Sequence, residues 1–345
     1  MATKTKLLQS IASTIADYRK GEVPEPDVDH VQRWIRQFDA NVQVPILSEL
    51  DHVLKNAYVN RVTVERILGS VATTEALTGG KHSKFWASAG LLNIQGAGAS
   101  QREMLDIFNG VLQKNFRLGI NDCAGTSGHF VYIDDGVFSG SRAQQDLVKW
   151  IESEAPQNAT IHVMAIVLYS GGDWYIRRGG RKLLGVEAAA EKAGKNISIQ
   201  FWRSLGLENR RSNLNNSDVL VPAELPDDKC VKRYAQQLEA EGHPVEYRRG
   251  DSIGPAKLFS SPAGRHLLEQ EFIKAGARIR VMCPNLPSSC RPLGFTGLRT
   301  FGFGSVVVTH RNCPNNCPLA FWVADPWYPL FPRKTNTETG MFVWE

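Results

Sequence analysis

Apolar residues in the first ninety positions recur at three- and four-residue intervals, the period that lines one face of a helix. Between Lys6 and Lys20 they are Leu7, Leu8, Ile11, Ile15 and Tyr18. The same spacing predicts helices over Val28 to Asp39, Gln43 to Asn56 and Thr63 to Thr74. Gly21 supplies a stop after the first, and Asp27 or Asp29 a cap for the second. Residues 1–89 therefore read as a helical N-terminal extension.

From Gly90 the pattern changes to short apolar runs parted by glycine-rich turns and amphipathic helices, the order of βαβ units on a parallel sheet. The expected strands are LLNIQ at 91–95, HFVYIDD at 129–135, IHVMAIVLY at 161–169 and SIQFW at 198–202. Helices are expected over Gln101–Lys114, Ser141–Ser153 and Arg181–Ala193. The fold class is α/β, with residues 90–208 as a core built on a mostly parallel, Rossmann-like sheet. Beyond a polar loop, helices over Asp227–Glu241 and Gly264–Lys274, a strand at 278–282 and the strands GSVVVTH and PLAFWV make 209–345 an α+β portion packed on that core.

Composition narrows the class without choosing the function. The chain has 345 residues, 42% hydrophobic and 22% charged, which suits a folded protein rather than a disordered one. Forty basic against 35 acidic residues leave a net charge of +5, too small a surplus to imply nucleic acid without a local cluster. No run approaches the ~18 apolar residues of a membrane span, and the N-terminus lacks a secretory pattern, so a cytoplasmic protein is expected. Six scattered cysteines suit reduced thiols. Cys313 and Cys317 are one tight pair where structural zinc needs four convergent ligands. The sequence also holds no GxSxG elbow, GxxxxGK[ST] loop or HExxH helix.

The chemistry concentrates in FVYIDDGVFSGSR, 130–142. At the end of a parallel strand Asp134 and Asp135 present acceptors to neighbouring sugar hydroxyls, directly or through Mg²⁺. Ser139, Gly140 and Ser141 fall where a helix begins, so backbone N–H groups and hydroxyls can hold a phosphate there. Arg142 adds a charge beside them. Upstream, QGAGASQR at 95–102 opens another helix: Gly96 and Gly98 permit close approach, Ser100 can cap, and Gln101 extends toward an anion. A solvated strand end and tight strand-to-helix packing are the competing readings of the two segments. Their combination favours a ligand.

The segment resembles the signature of type I phosphoribosyltransferases: an apolar strand, two acidic residues, an interval, and a Ser/Thr-Gly turn. By that resemblance Asp134 and Asp135 face the ribose hydroxyls, Ser139 to Ser141 the 5-phosphate, and the 95–102 loop the pyrophosphate of phosphoribosyl pyrophosphate, with Mg²⁺ as cofactor. Two positions depart from it. Phe138 stands where several purine transferases carry an acid, and Arg142 where Thr is usual. With TIADYRKGE, VQRWIRQFD and the C-terminal LGFTGLRTFGFGSVVVTHRNCPNNCPLAFWVADPWYPLFPR, the chain is similar to phosphoribosyltransferase-like proteins of bacterial conflict systems. Those accompany ATPases and, in retrons, a reverse transcriptase with its non-coding RNA. The resemblance implies a toxic effector of antiphage defence. A non-catalytic nucleotide sensor and a nucleic-acid-binding scaffold are the alternatives.

Near the C-terminus Arg311 and Asn312 offer donors after an apolar strand, while Trp322, Trp327 and Tyr328 offer stacking faces. A base-reading lid is one reading. A simple turn with core aromatics is the favoured one.

Overall fold

Three amphipathic helices, α1 (Lys4–Thr14), α2 (Val28–Ile35) and α3 (Gln43–Ala57), open the chain and are followed by strand β1 (Tyr58–Val59). The computed structural model describes residues 3–96, 100–180, 183–210, 216–295 and 300–333. Side-chain oxygens of Thr3 and Asp27 cap α1 and α2. The first helix stops at Thr14, short of the expected Lys20, because the chain turns at Arg19, whose φ of 47° is left-handed and whose N–H donates to His310. Tyr18 is fully buried all the same.

The next stretch carries α4 (Arg61–Ala72), α5 (Glu75–Thr78), α6 (His82–Ser88), β2 (Gly90–Leu91), α7 (Ser100–Phe116), β3 (His129–Val137) and α8 (Ser141–Ser153). It continues through β4 (Asn158–Tyr169), α9 (Ser170–Arg178), α10 (Val186–Lys192) and β5 (Asn196–Leu207). The strands form one sheet in the order β2-β3-β4-β5. β2 runs parallel to β3, and β3 to β4, with Val131 opposite His162 and Asp134 opposite Ala165. Side-chain pairs Asn196–Asn158 and Ser198–Thr160 climb together along β5 and β4. Tyr132, Ile161, Val163, Leu147, Trp150 and Ile176 share the main core of this sheet and its helices.

The expected strand 91–95 pairs only at its start. Leu92 N–H still reaches Val131 O at 2.8 Å, but the N–H groups of Ile94 and Gln95 donate to the Gln101 side chain. Conversely β3 runs two residues past the acidic pair. Nearer the start of β3 and β4, His129 Nδ1 lies 3.0 Å from His162 Nε2, and Trp202 Nε1–H donates to His162 Nδ1 at 3.1 Å. An indole only donates, so His162 carries its proton on Nε2 and gives it to His129.

After β5 come β6 (Asn209–Arg210), β7 (Asn216–Ser217), α11 (Lys229–Ala240), β8 (Ser252–Ile253) and α12 (Pro262–Met282). β9 (Cys290–Arg291), β10 (Gly294–Phe295), β11 (Val308–Thr309) and α13 (Leu319–Trp322) follow. The strand expected at 278–282 is the end of α12. Ile279 extends the buried stripe of Leu268, Phe272 and Ala275, and Arg280 Nη1 closes the helix end by donating to Leu286 O and Pro287 O. The alternation Arg-Ile-Arg-Val imitates a strand period over too few residues to outweigh that stripe. PLAFWV likewise holds α13 rather than a strand, and of GSVVVTH only Val308 and Thr309 enter a ladder, parallel to β1.

The chain forms two compact units: Val62–Gly206, and Met1–Arg61 together with Leu207–Glu345. The sheet lies in the first. In the second, Trp34 donates its indole N–H to Ala320 O at 2.8 Å and meets the rings of Phe38, Phe272 and Phe321 edge-on. This unit also buries a charged triad. Glu269 lies 3.0 Å from Arg248 and 3.5 Å from Arg265, with all three side chains inaccessible or nearly so. Among the described residues no helix is long and apolar enough to cross a membrane.

Candidate functional site

Strand β3 delivers Asp134 and Asp135 near the carboxyl edge of the parallel sheet, the edge where open α/β sheets bind ligands. Asp134 is 7% exposed and Asp135 half-buried. Oδ1 of Asp134 accepts the Asp135 N–H at 2.8 Å. Burial and the adjoining Asp135 carboxyl push Asp134 well above the ordinary carboxylate range, while the Asp135 N–H and the Ser100 hydroxyl, both donating to it, pull the other way.

Ser100 opens α7, and its hydroxyl meets the Gln95 side chain. The loop is closed at its mouth by two glutamines. Gln101 Oε1 accepts from Ile94 N–H at 2.8 Å and Gln95 N–H at 2.9 Å, and Gln95 Oε1 accepts from Gln101 N–H at 3.0 Å. Gln95 Nε2 donates to Ser100 Oγ at 2.9 Å. Gln101 is completely buried, so its carboxamide serves the loop's own backbone. Gly96 is exposed. Gly98 lies outside the described residues.

The second loop begins where β3 ends. The Phe138 ring folds back over Gly136 so closely that a Cβ there would lie 2.8 Å from it, and Phe138 is buried. Ser139 Oγ accepts from Ser141 N–H at 3.4 Å, and both serines are half-buried. Gly140 has a left-handed φ of 77° and caps α8 without a side chain, which leaves the helix's positive end to the serine hydroxyls and the backbone. A Cβ on Gly140 would sit 2.5 Å from Gly172 O, so this turn lies against the start of α9. Arg142 is exposed.

Asp146, on α8, escaped the sequence reading. Its Oδ1 accepts from Gly96 N–H at 3.4 Å and its Oδ2 from the Tyr132 hydroxyl at 3.3 Å. Partial burial raises its pKa, opposed by those donors and by Arg142 and Lys149. The only sequence signal was an acid bordering the apolar stripe of Ala143, Leu147 and Trp150, a position that solvated carboxylates commonly fill. The same holds for Gln95, an uncharged residue whose role depends on a partner six positions on.

Arg311 and Asn312 belong to the other unit, where the Asn312 N–H donates to Thr309 O at 3.2 Å and the Thr309 N–H to Asn312 O at 3.1 Å, making a tight turn. Trp322 and Trp327 are buried, and their indoles donate to Cys317 O and Ala320 O. They are core, as the bland reading had it. Among the described residues no group of three or more His, Cys, Asp or Glu side chains is placed to cage a metal.

A parallel sheet flanked by helices, with the acidic pair near the end of β3 and the Ser139–Ser141 turn opening the next helix, has the layout of a phosphoribosyltransferase-like α/β protein. Comparison with protein families agrees. The model of the PRTase-CE family matches residues 31–333, most of the chain, and the chain belongs to that family. No curated protein and no solved structure matches it.

Proposed function

We propose that the sheet-bearing unit binds phosphoribosyl pyrophosphate, or a nucleotide with the same ribosyl phosphate. In this reading Asp134 and Asp135 take the ribose hydroxyls, Ser139 to Ser141 with Arg142 the 5-phosphate, and the loop from Gly96 to Ser100 the pyrophosphate. The supporting observation is the order along β3 and α8: the acidic pair near the strand's end, then the left-handed Gly140 turn between two serines that opens the helix. Gln101 holds the loop from behind. Arg311 and Asn312 carry no step of the proposal.

Loss of pyrophosphate from such a ligand leaves an oxocarbenium-like ribose and a growing anionic charge. Backbone N–H groups and helix ends aimed at that charge lower the barrier. Mg²⁺ bound with the ligand would supply further neutralisation, with Asp134 and Asp135 as its indirect protein contacts. The biological setting we propose is antiphage defence, the chain acting as a toxic effector held by ATPase and reverse-transcriptase partners. The resemblance to conflict-system proteins supports that setting.

A second reading rests on Phe138. Its buried ring fills the position where an acid would assist a nucleobase, and this favours a sensor that binds the ligand without turning it over. Calorimetry with phosphoribosyl pyrophosphate and Mg²⁺ tests both readings. Binding by the wild type, lost in the Asp134→Ala/Asp135→Ala variant, is expected. Unchanged binding in that variant, or none in the wild type, would end the proposal. Release of pyrophosphate over time separates effector from sensor.

A further inference from the structure

Asp146 is an unexpected group for an anion site. Its carboxylate takes one donor on each oxygen, and the donors come from different elements: Gly96 N–H from the upstream loop and the Tyr132 hydroxyl from β3. Tyr132 is fully buried and stands two residues before Asp134, so it is a fixed anchor. Gly96 is exposed at the mouth of the glycine-rich loop. The carboxylate therefore spans from the rigid strand to the start of the loop, from a helix that itself begins at the Ser139–Ser141 turn. A negative charge so placed repels an incoming phosphate. Any benefit it gives to binding is geometric, not Coulombic.

We infer that Asp146 is a positioning residue that holds Gly96, where the upstream loop starts, against β3, and so serves recognition of the pyrophosphate end of the ligand rather than its 5-phosphate. The inference rests on the ribosyl-phosphate reading of the site. Charge and geometry predict opposite signs for Asp146→Asn. If the charge governed, removing it would tighten anion binding. With positioning in control, the amide keeps one acceptor, turns an NH₂ against the other donor, and releases Gly96. Tyr132→Phe removes only the strand anchor and leaves the charge in place.

The experiment measures dissociation constants of phosphoribosyl pyrophosphate, inorganic pyrophosphate and ribose 5-phosphate, each with Mg²⁺, for the full-length wild type, Asp146→Asn and Tyr132→Phe. Asp146→Asn should weaken the two pyrophosphate-bearing ligands about tenfold, the scale of one lost charge-assisted hydrogen bond, and leave ribose 5-phosphate within about twofold. Tyr132→Phe should move in the same direction by less. Equal or tighter pyrophosphate binding in Asp146→Asn overturns the inference, as does an equal loss for ribose 5-phosphate. Should Asp146→Asn not fold, Tyr132→Phe decides alone by the same contrast. A wild type that binds none of the three ligands removes the ribosyl-phosphate reading and this inference with it. A binding wild type with an indifferent variant removes this inference only.

Discussion

Replacing Gly140 with Ala puts a number on the close contact beneath the phosphate-loop candidate. At φ 77° an L-residue costs about 1–2 kcal/mol. The new methyl would lie 2.5 Å from Gly172 O and 3.1 Å from Gly172 Cα. That is nearly an ångström inside ordinary contact, and relieving it against backbone costs ~1–3 kcal/mol more. Lower entropy of the unfolded chain returns about 0.4–1 kcal/mol. The net loss should be roughly 2–4 kcal/mol. Gly242 provides the control, with the same φ of 77° and nothing within 4 Å of a Cβ, so Gly242→Ala should cost about 1 kcal/mol or less. The two glycines lie in different units, so unfolding in urea is best followed by peptide-resolved hydrogen exchange over α8 and α11. Equal losses for the two variants would refute the contact argument. Gly140→Ala should also weaken ribose 5-phosphate binding, because relief of the clash moves the Ser139–Ser141 turn.

Two further outcomes concern buried charge. Burial holds His162 down to about 4 from an ordinary 6.5, with His129 adding to the depression. The unfolded chain therefore binds the proton first, and stability present above pH 6.5 is lost as pH falls toward 4, up to roughly 3 kcal/mol. Denaturation midpoints between pH 7.5 and 4.5 check this, and His162→Gln should flatten the trend. In the other unit Glu269→Gln takes the buried carboxylate from Arg265 and leaves Arg248 with Asp251 alone, which should cost about 3–5 kcal/mol by denaturant unfolding. A loss under 1 kcal/mol would mean that the remaining carboxylates, Asp251 first, balance the two arginines without Glu269.

Local signals carried much of the fold. Helix α8 spans Ser141 to Ser153 as its apolar period predicts, and the strands through Asp134 and Val163 follow from continuous apolar runs. These features need only near neighbours in sequence. What was not legible depends on partners farther away. Gln101 turning back on Ile94 shortens a strand that its residues alone would extend. Asp146 acquires its place only when Gly96, fifty positions earlier, comes to it. The end of α12 is decided by burial of Ile279 and by carbonyls beyond the helix, against a brief strand-like alternation. Sequence also ranked the C-terminal tryptophans correctly as core while giving no hint that Trp34 is among their neighbours.

The split of one unit around the other bears on how the chain is made. Trp34 finds its acceptor at Ala320, and β1 its ladder partner at β11, only after the whole sheet-bearing segment has been synthesised. About 145 residues separate Arg61 from Leu207. At elongation rates of ~5–20 residues per second that is a wait on the order of ten seconds or more. The sheet-bearing segment, continuous in sequence, can fold on emergence. Until then the first sixty residues lack Phe272, Ala320 and Phe321, the late partners of Trp34, so that ring is expected to stand open during the interval, the kind of surface on which chaperones act.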